Sequence, residues 1–325
     1  MTDAIPHGGR LARAQADYPS APMPWLDLST GINPGGWRRG RPPHASLTRL
    51  PDPADTLALE VVAAAAFGAP PECVVAVAGA EAGLRLLPEM IEARRVAVAS
   101  PTYGSHADAW KRAGVAVDEV ARTDLFDAAA EVLVVVNPNN PDGAASPGAS
   151  LAAQAAGRWL IIDESFVEAE PALSAAALAQ GRTIVLRSFG KFYGLPGVRL
   201  GFVICDETLA HRLRRRIGDW PVGAEAIAMG RAAYADSGWA QRTRLSLARD
   251  AERLDRLLKA TGFEIAGGTS LFRLARCETA AIRADRLAQQ GVLVRTFTHD
   301  PTLIRFGLPG RNNWRRLQAA LEMSL

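Results

Sequence analysis

Short runs of apolar residues with little alternation recur through the middle of the chain, and helix-like stretches separate them. Strands of a parallel sheet have this pattern, because helices cover both faces of the sheet. Gly, Ser, Asn or Asp follows each run within two residues, and ligands of open α/β sheets bind at the carboxyl ends of strands. We therefore predict an α/β fold with a mainly parallel central sheet flanked by helices. The predicted strands are 74–78, 96–99, 132–136, 159–162, 183–186 and 200–204.

The pattern changes near residue 237, where a smaller α+β domain is predicted to begin. Residues 239–260 predict one long amphipathic helix that Gly262 ends. Strand-like runs follow at 270–274, 292–295 and 303–307, and a helix begins at Asn312. The Pro- and Gly-rich residues 1–45 predict an irregular arm that contributes to the small domain and to the active site. The large domain is then residues 46–236, and the small domain is residues 237–325.

Composition narrows the possible partners. The chain has 325 residues, 48% of them hydrophobic, and can bury the core of one large and one smaller domain. A net charge of +3 mildly favours an anionic substrate, and Lys and Arg are too dispersed to imply nucleic acid. Cys73, Cys205 and Cys277 are too few for a disulfide framework and lack the spacing of metal ligands. Without a membrane-spanning run or a secretion signal, we expect a cytoplasmic protein.

Polar residues follow three successive predicted strands in an informative order. After 132–136 comes Asn-Pro-Asn-Asn-Pro-Asp-Gly, a tight turn that fixes an Asn amide. Asp163 follows 159–162, where a buried carboxylate requires a cation or a donor. Ser188, Lys191 and Arg199 follow 183–186 among glycines and aromatics, where desolvation favours the neutral amine of the lysine. Together these groups supply an amine for an imine, a carboxylate for a ring nitrogen and donors for a phosphate.

These segments resemble the fold-type-I pyridoxal-phosphate (PLP) enzymes of the aspartate aminotransferase superfamily over nearly the whole chain. The resemblance implies the fold of PLP-dependent transferases, with PLP as the cofactor. Lys191 matches the lysine that binds PLP covalently, and Asp163 matches the carboxylate that keeps the pyridine nitrogen protonated. Asn140 matches the residue that donates to the phenolic oxygen of PLP. Ser188 and Arg199 match side chains that hold its phosphate.

Further positions complete the implied site. Gly79-Ala80-Glu81 resembles the turn whose backbone N–H groups and helix dipole hold the cofactor phosphate. Tyr103 resembles the aromatic residue that stacks on the PLP ring, although a core tyrosine is the alternative. Arg305 matches the arginine that clamps the substrate α-carboxylate, which a guanidinium does better than an ammonium.

Two residues depart from the superfamily pattern. Phe166 replaces a tyrosine often found three residues after the aspartate, so one hydrogen bond to the phenolic oxygen of PLP should be missing. Leu50 stands where relatives often have a tyrosine that reaches the PLP phosphate of the other subunit. That substitution puts the contact between subunits in doubt, but it does not put cofactor binding in doubt.

Motifs at both ends of the chain resemble the L-threonine-O-3-phosphate decarboxylases of cobalamin biosynthesis. The resemblance implies decarboxylation of L-threonine O-3-phosphate to (R)-1-aminopropan-2-yl phosphate and CO₂ by a homodimer, with cobalamin-pathway proteins as further partners. The motifs are His-Gly-Gly at 7–9, Leu-Ser-Thr-Gly-Ile-Asn-Pro-Gly at 28–35, Gly-Thr-Ser-Leu-Phe-Arg at 268–273 and Phe-Gly-Leu-Pro-Gly at 306–310.

In that family the N-terminal arm and an arginine of the small domain surround the substrate phosphate. The matching residues here are His7, Gly8, Gly9 and Arg295, with Asn33 as a further candidate donor and Asn140 beside the carboxylate. Mobile glycine N–H groups suit a phosphate, whereas a solvated His7 is the alternative. For Arg295 the alternative is a pair with an acidic neighbour. Arg10 replaces the usual asparagine after His-Gly-Gly, and either strengthens anion binding or is solvated.

Two other functions stay open at this point. A histidinol-phosphate aminotransferase shares the large-domain residues Lys191, Asn140, Asp163 and Arg199 and both small-domain arginines, Arg295 and Arg305. The His-Gly-Gly arm, Leu50 and Phe166 argue against it. The chain could instead bind PLP and serve as a partner in the complex that attaches aminopropanol to the corrin. The complete set of catalytic residues argues against a purely structural role, because packing alone does not require a lysine near Asp163.

Overall fold

The computed structural model describes residues 8–38 and 47–325, which form two compact units. We call them the large unit (Trp37–Asn140 and Ala144–Gln241) and the small unit (Met1–Gly36, Pro141–Gly143 and Arg242–Leu325). Apart from the short segment 141–143, the chain passes from one unit to the other at 36/37 and 241/242. The sequence predicts these boundaries at 45/46 and 236/237. Trp37 belongs to the large unit because its backbone N–H donates to the Tyr193 carbonyl at 2.9 Å and its buried indole donates to Asp236 at 3.3 Å.

Helices and strands alternate through most of the chain. The helices are α1 (Leu11–Asp17), α2 (Pro53–Phe67), α3 (Ala80–Met90), α4 (Ser105–Arg112), α5 (Gly148–Gln154), α6 (Phe189–Phe192), α7 (Glu207–Ile217), α8 (Ala224–Ala235), α9 (Ser237–Ala260), α10 (Ala280–Gln289) and α11 (Trp314–Met323). The strands are β1 (Leu26–Asp27), β2 (Val74–Val77), β3 (Arg95–Ala99), β4 (Ala116–Val120), β5 (Val132–Val136), β6 (Trp159–Asp163), β7 (Thr183–Ser188), β8 (Gly201–Ile204), β9 (Glu264–Thr269), β10 (Phe272–Arg276), β11 (Val292–Leu293), β12 (Arg295–Thr296) and β13 (Leu303–Gly307).

The sheet of the large unit has the strand order β2-β8-β7-β6-β5-β3-β4. Strands β7, β6, β5, β3 and β4 are parallel to one another, and β8 runs antiparallel to both β2 and β7. The mainly parallel α/β prediction is confirmed, with β8 as the reversed strand. The parallel arrangement places the C-terminal ends of β5, β6 and β7, which carry the predicted site residues, at one edge of the sheet.

Apolar side chains on alternate strand positions build a core on each face of this sheet. On one face, Val134, Ile161 and Val203 pack with Leu84 and Trp110 of α3 and α4. On the other face the Phe202 ring contacts the Phe67 and Tyr234 rings of α2 and α8, with centroids 5.3 and 5.6 Å away. The low polarity of the strands therefore follows from helical cover on both faces.

Strands β1, β4 and β9 were absent from the sequence prediction, and β4 and β9 were missed for different reasons. Strand β4 lies at the edge of the large sheet, and its half-exposed Ala-Val-Asp-Glu-Val lacks a continuous apolar run. Strand β9 contains the pair Gly267-Gly268, which normally indicates a loop. Gly268 has a φ of +133°, and a Cβ there would lie 2.4 Å from the Phe272 carbonyl oxygen, so the strand requires glycine at this position.

The small unit contains a four-stranded antiparallel sheet, β12-β13-β10-β9, and a parallel pair, β1-β11. The predicted strand at 292–295 is two short strands, because β11 pairs with β1 whereas β12 pairs with β13. The arm predicted to be irregular contributes α1 and β1. No helix within the described residues has both the length and the apolar character needed to cross a membrane.

Candidate active site

Asp163 ends β6 and is 4% exposed, with a hydrogen-bond donor on each carboxylate oxygen. The Nε2 atom of His106 lies 2.9 Å from Oδ2, and the backbone N–H of Ser165 donates to Oδ1 at 2.8 Å. Burial raises the pKa of Asp163, but His106 and Ser165 outweigh burial and hold that pKa below its ordinary value. The carboxylate is therefore an anion at neutral pH and requires a cationic or N–H partner.

His106 is a functional candidate that the sequence analysis missed. It lies in the first turn of α4, is 1% exposed, and packs edge to face with Tyr103 at a centroid distance of 6.2 Å. The signal was a histidine three residues after the predicted stacking aromatic, a spacing that places both side chains on one side of a helical turn. Burial is the largest of the effects that raise the pKa of Tyr103 to about 12, so its phenol is neutral.

Asn139 connects the loop that carries Tyr103 with the loop that carries Asn140. The Thr102 hydroxyl donates to Oδ1 of Asn139 at 2.6 Å, and Nδ2 of Asn139 donates to the Pro101 carbonyl at 3.1 Å. Half-buried Asn140 is the next residue along the chain. Nothing in the sequence distinguished Asn139 from its neighbours, since a run of asparagines in a turn does not reveal which of them is structural.

Lys191 lies in the short helix α6, which follows β7 directly. Its Nζ atom is 5.6 Å from the ring centroid of the buried Phe166. The turn is tight before the lysine, because a Cβ at Gly190 would lie 2.8 Å from Cα of Pro196. Since Phe166 is three residues after Asp163, the amine and the buried carboxylate reach the same end of the sheet.

The N-terminus of the eleven-residue helix α3 lies among five residues: Gly79, Ala80, Ser188, Arg199 and Gly201. Gly79 has a φ of +88°, and a Cβ there would lie 2.6 Å from Nη2 of Arg199. A Cβ at Gly201 would lie 2.3 Å from the backbone nitrogen of Ala80, and Gly201 pairs with Ser188 across β7 and β8. Glycine is therefore required at both positions for this close approach of N–H groups and guanidinium. Such a cradle binds an anion through the helix dipole and the exposed N–H groups.

Glu81, the third residue of the predicted phosphate turn, directs its carboxylate to Arg85, with Oε1 2.7 Å from Nε. Only the backbone N–H of Glu81 therefore suits a phosphate. Arg199 itself has a φ of +54°, an uncommon conformation for a residue with a side chain. Its Nη1 donates to the Pro196 carbonyl at 3.2 Å. This conformation is consistent with an arginine whose position is set by function.

A buried ion cluster joins β6 and β7 immediately beside these residues. Nε of Arg187 lies 3.0 Å from Oε2 of Glu164, and Nη1 lies 2.9 Å from Oε1 of Glu168. Nη2 donates to the Ser174 hydroxyl at 2.9 Å, and the guanidinium carbon lies 4.6 Å from the ring centroid of Phe67. Burial raises the pKa of Glu164 more than Arg187 lowers it. Because Glu164 follows Asp163 and Arg187 precedes Ser188, the cluster fixes two site strands to each other.

The residues of the large unit fit pyridoxal phosphate. Its phosphate requires an anion cradle, which Gly79, Ala80 and Arg199 form. Its pyridine nitrogen requires a buried anion when protonated, and Asp163 is held as one. Its aldehyde requires an amine, which Lys191 carries beside an aromatic ring. Asn140, Ser188 and Tyr103 belong to the same unit.

Arg305 and Arg295 lie opposite each other in the small unit, on β13 and β12. Arg305 is buried, and its Nη2 donates to the carbonyl of Ser29 at 2.7 Å. Burial, followed by the positive charge of Arg295, lowers the pKa of Arg305 to about 10, although Asp27 opposes this. Burial and the positive charge of Arg10 lower the pKa of Arg295. Arg295 and Arg305, which are paired on neighbouring strands, therefore form a positively charged group that suits an anion.

Gly8 and Gly9 of the N-terminal arm contact Ser29, the residue that also accepts from Arg305. The backbone N–H of Gly9 donates to the Ser29 hydroxyl at 2.8 Å, and a Cβ at Gly8 would lie 2.3 Å from the Ser29 carbonyl oxygen. The Ser29 hydroxyl donates to Asp27 at 2.6 Å. Asn33 is buried, and its Oδ1 accepts from the Gly35 N–H at 2.8 Å. Ser29, which the sequence analysis did not select, therefore links the arm to Arg305.

The structure thus assigns the predicted residues to separate units. The predicted cofactor residues belong to the large unit, and Gly8, Gly9, Asn33, Arg295 and Arg305 belong to the small unit. His7 lies outside the described residues. Leu50, the departure from the superfamily pattern, is 68% exposed.

Comparisons with known proteins show the family to which this chain belongs. A family model described as aminotransferase class I and II matches residues 25–321. The threonine-phosphate decarboxylase of Pseudomonas aeruginosa is 40% identical over 98% of this chain and 97% of its own. Histidinol-phosphate aminotransferase 1 of Bradyrhizobium diazoefficiens is 32% identical over 77% of each chain. The solved histidinol-phosphate aminotransferase of Sinorhizobium meliloti, in complex with pyridoxal-5'-phosphate, has a TM-score of 0.81 at 18% identity, covering 100% of this chain and 99% of that one. The last likeness concerns the fold alone.

Proposed function

Since the chain belongs to the class I and II aminotransferase family, we propose that it is a PLP-dependent carboxy-lyase that decarboxylates L-threonine O-3-phosphate. Its products are (R)-1-aminopropan-2-yl phosphate and CO₂, and the reaction serves cobalamin biosynthesis. The observation that carries the proposal is 40% identity over 98% of the chain to a threonine-phosphate decarboxylase. The arginine cluster of the small unit suits a substrate with two anionic groups.

The large unit supplies the chemistry. When bound, PLP accepts the electron pair of the bond that breaks at the substrate Cα. Asp163, ionised and held by His106, keeps a proton on the pyridine nitrogen and so makes the ring a better electron acceptor. Lys191 carries the amine that anchors the cofactor. Once substrate has bound, Nζ of Lys191 carries the proton that replaces CO₂ at the substrate Cα.

The small unit orients the substrate. Arg305 binds the α-carboxylate, and Arg295 binds the phosphate with the N–H groups of Gly8 and Gly9. Arg305 is buried, and its Nη2 donates to the Ser29 carbonyl. The guanidinium is therefore fixed and holds the carboxylate in one direction. Such anchoring selects the reaction, because the bond that breaks is the one held perpendicular to the cofactor ring. His7 and Asn33 are the remaining phosphate donors in the proposal.

Incubation of the PLP-loaded protein with L-threonine O-3-phosphate tests the function directly. We expect CO₂ and aminopropan-2-yl phosphate in equal amounts, and no product from Lys191→Ala, which lacks the anchoring amine. Pyridoxamine phosphate without CO₂, with histidinol phosphate accepted as amino donor, would mean that the chain is an aminotransferase instead. Turnover of neither substrate, with co-purification of corrinoid-pathway proteins, would support the partner function.

The proposal includes a cytoplasmic homodimer. Apolar side chains on the surface support an interface: Leu57 and Val61 are one turn apart on α2 and are 56% and 44% exposed. Leu50, where relatives often have a residue that contacts the other subunit, is also exposed. Exposed apolar groups of this kind commonly become buried between subunits. Light scattering should give twice the mass of the chain, and a monomer would contradict the dimer.

A further inference from the structure

Arg122 is a half-buried residue of the large unit that contacts the loop after β5. It begins a 3₁₀ turn between β4 and β5. Its Nη1 donates to the Val136 carbonyl at 2.9 Å, and its Nη2 donates to Oδ1 of Asn137 at 2.9 Å. Nη2 also lies 3.4 Å from the Ser146 hydroxyl. One guanidinium therefore contacts the last residue of β5 and both sides of the loop that follows it.

Asn137 links the two sides of this loop to each other. It is fully buried, its Oδ1 accepts from the Ser146 N–H at 2.9 Å, and its Nδ2 donates to the Ser146 carbonyl at 2.9 Å. A carbonyl oxygen has two lone pairs, so Ser146 and Arg122 together satisfy Oδ1. Without Arg122, this buried oxygen would lose one of its two donors, and the base of the loop would be held less firmly.

Asn140 lies three residues after Asn137, in the part of the loop whose direction these contacts set. Between them, the backbone N–H of Asn139 donates to the Ala144 carbonyl at 2.9 Å. The loop is therefore fixed at its base by Arg122 and further along by Asn139. A hydrogen bond weakens steeply as its angle departs from linearity, so a shift at the base would weaken what the Asn140 amide can donate.

We propose that Arg122 is a positioning residue for Asn140: by fixing the base of the loop, it directs the Asn140 amide toward the phenolic oxygen of PLP. The inference rests on the proposed function and deepens it, because it takes Asn140 as the donor to that oxygen. A donated hydrogen bond stabilises the negatively charged phenolic oxygen and so favours the deprotonated form of the bound cofactor. Loss of alignment should therefore raise the pH at which the visible absorbance of the bound cofactor changes.

Arg158 provides a matched control for Arg122. It is also half-buried and also donates to main-chain carbonyls, those of Phe126 and Ala128, at 2.8 and 2.9 Å. It directly precedes β6, whereas Asp163 ends that strand, so Arg158 lies at the opposite end of the sheet from the candidate site. Arg158→Gln removes a comparable set of hydrogen bonds and reports the effect of destabilisation alone. Arg122→Lys retains the charge of Arg122 but cannot make its two parallel N–H contacts.

A spectrophotometric pH titration of the PLP-loaded protein tests the proposal. We expect Asn140→Ala to raise the midpoint by about one unit, and Arg122→Gln to raise it by about half a unit or more. Arg122→Lys should lie between Arg122→Gln and the parent, and Arg158→Gln should match the parent. In the double variant, Arg122→Gln should add nothing to the shift of Asn140→Ala, because the arginine acts through the asparagine.

Several outcomes would overturn the inference. They are a midpoint of Arg122→Gln equal to that of the parent or of Arg158→Gln, an unchanged midpoint in Asn140→Ala, and shifts that add in the double variant. If Arg122→Gln does not fold, Arg122→Lys decides the question, since a midpoint equal to that of the parent would remove the role of Arg122.

The titration requires bound PLP but no turnover, so its result is separate from the proposed reaction. A midpoint that depends on Arg122 through Asn140, in a protein that releases no CO₂, would refute the decarboxylase and leave the positioning role established. Release of CO₂ by a protein whose midpoint does not depend on Arg122 would do the reverse.

Discussion

The Nε2 atom of His106 lies 2.9 Å from Oδ2 of Asp163, and both side chains are almost completely buried. The carboxylate accepts this hydrogen bond, so the histidine carries a proton on Nε2. Burial alone would raise the pKa of Asp163, and the contact with His106 is the largest influence that lowers it. The pair therefore keeps an anion deep in the protein, as the role proposed for Asp163 beside the pyridine nitrogen of PLP requires.

His106→Leu should shift the acid limb of the pH–kcat profile to higher pH by about one unit or more, because burial would then dominate the pKa of Asp163. The sign follows from linkage. In the parent, the lowered pKa of Asp163 stabilises the fold above the ordinary carboxyl pKa, and this contribution is lost as pH falls through the folded value. Acid unfolding of His106→Leu should therefore begin at higher pH. The exposed His211 provides the control, and His211→Leu should change neither profile.

Arg305→Lys should raise KM for L-threonine O-3-phosphate about tenfold or more, because an ammonium cannot make two parallel hydrogen bonds to a carboxylate and also donate to Ser29. We also expect lower kcat, since a loosely held carboxylate is less often perpendicular to the ring. Initial rates measure both parameters. Arg276, on the neighbouring strand β10 and paired with Asp300, supplies the control Arg276→Lys. Equal kinetics in the two variants would remove Arg305 from the carboxylate site.

The positions of the candidate residues in the large unit could be predicted from the sequence, because apolar runs reveal the buried strands whose ends carry them. Asp163 ends β6, Ser188 ends β7 and Lys191 lies in α6 just after β7, and the parallel sheet brings these strand ends to one edge. The reversed direction of β8 could not be predicted in this way, since an apolar run has no direction. Strand order depends on which faces the helices cover, and periodicity does not record this.

Supporting residues are harder to predict than the residues they support. His106 and Ser29 act through contacts at sequence separations of 57 and 276 residues, to Asp163 and Arg305 respectively. Neither residue belongs to a local pattern with a chemical meaning of its own.

Phe166→Tyr should lower the pH at which the visible absorbance of the bound cofactor changes, by about one unit or more. The added hydroxyl can donate to the phenolic oxygen of PLP, and such a bond favours the deprotonated form. The ring of Phe166 is buried and 5.6 Å from Nζ of Lys191, so a para hydroxyl would extend from a position beside the cofactor amine. A spectrophotometric pH titration measures the change. An unaltered titration midpoint would show that the hydroxyl does not reach the phenolic oxygen.

The cluster of Arg187, Glu164 and Glu168 predicts an asymmetric effect on stability. Two buried carboxylates share one guanidinium, so Arg187→Met leaves both without their cation and should cost about 3–5 kcal/mol of unfolding free energy. Glu164→Gln leaves a balanced pair of Arg187 and Glu168. Because burial already raises the pKa of Glu164, the neutral amide should cost much less than the loss of Arg187.

Urea denaturation followed by circular dichroism measures the difference between these two variants. The asymmetry depends on pH in a definite direction. The raised pKa of Glu164 means that the fold binds a proton more readily than the unfolded chain, so the charged carboxylate destabilises the parent above its unfolded pKa. Glu164→Gln should therefore lose less stability, relative to the parent, as pH rises from about 5 to 8. A larger loss for Glu164→Gln than for Arg187→Met would mean that Glu164, rather than the arginine, holds β6 and β7 together.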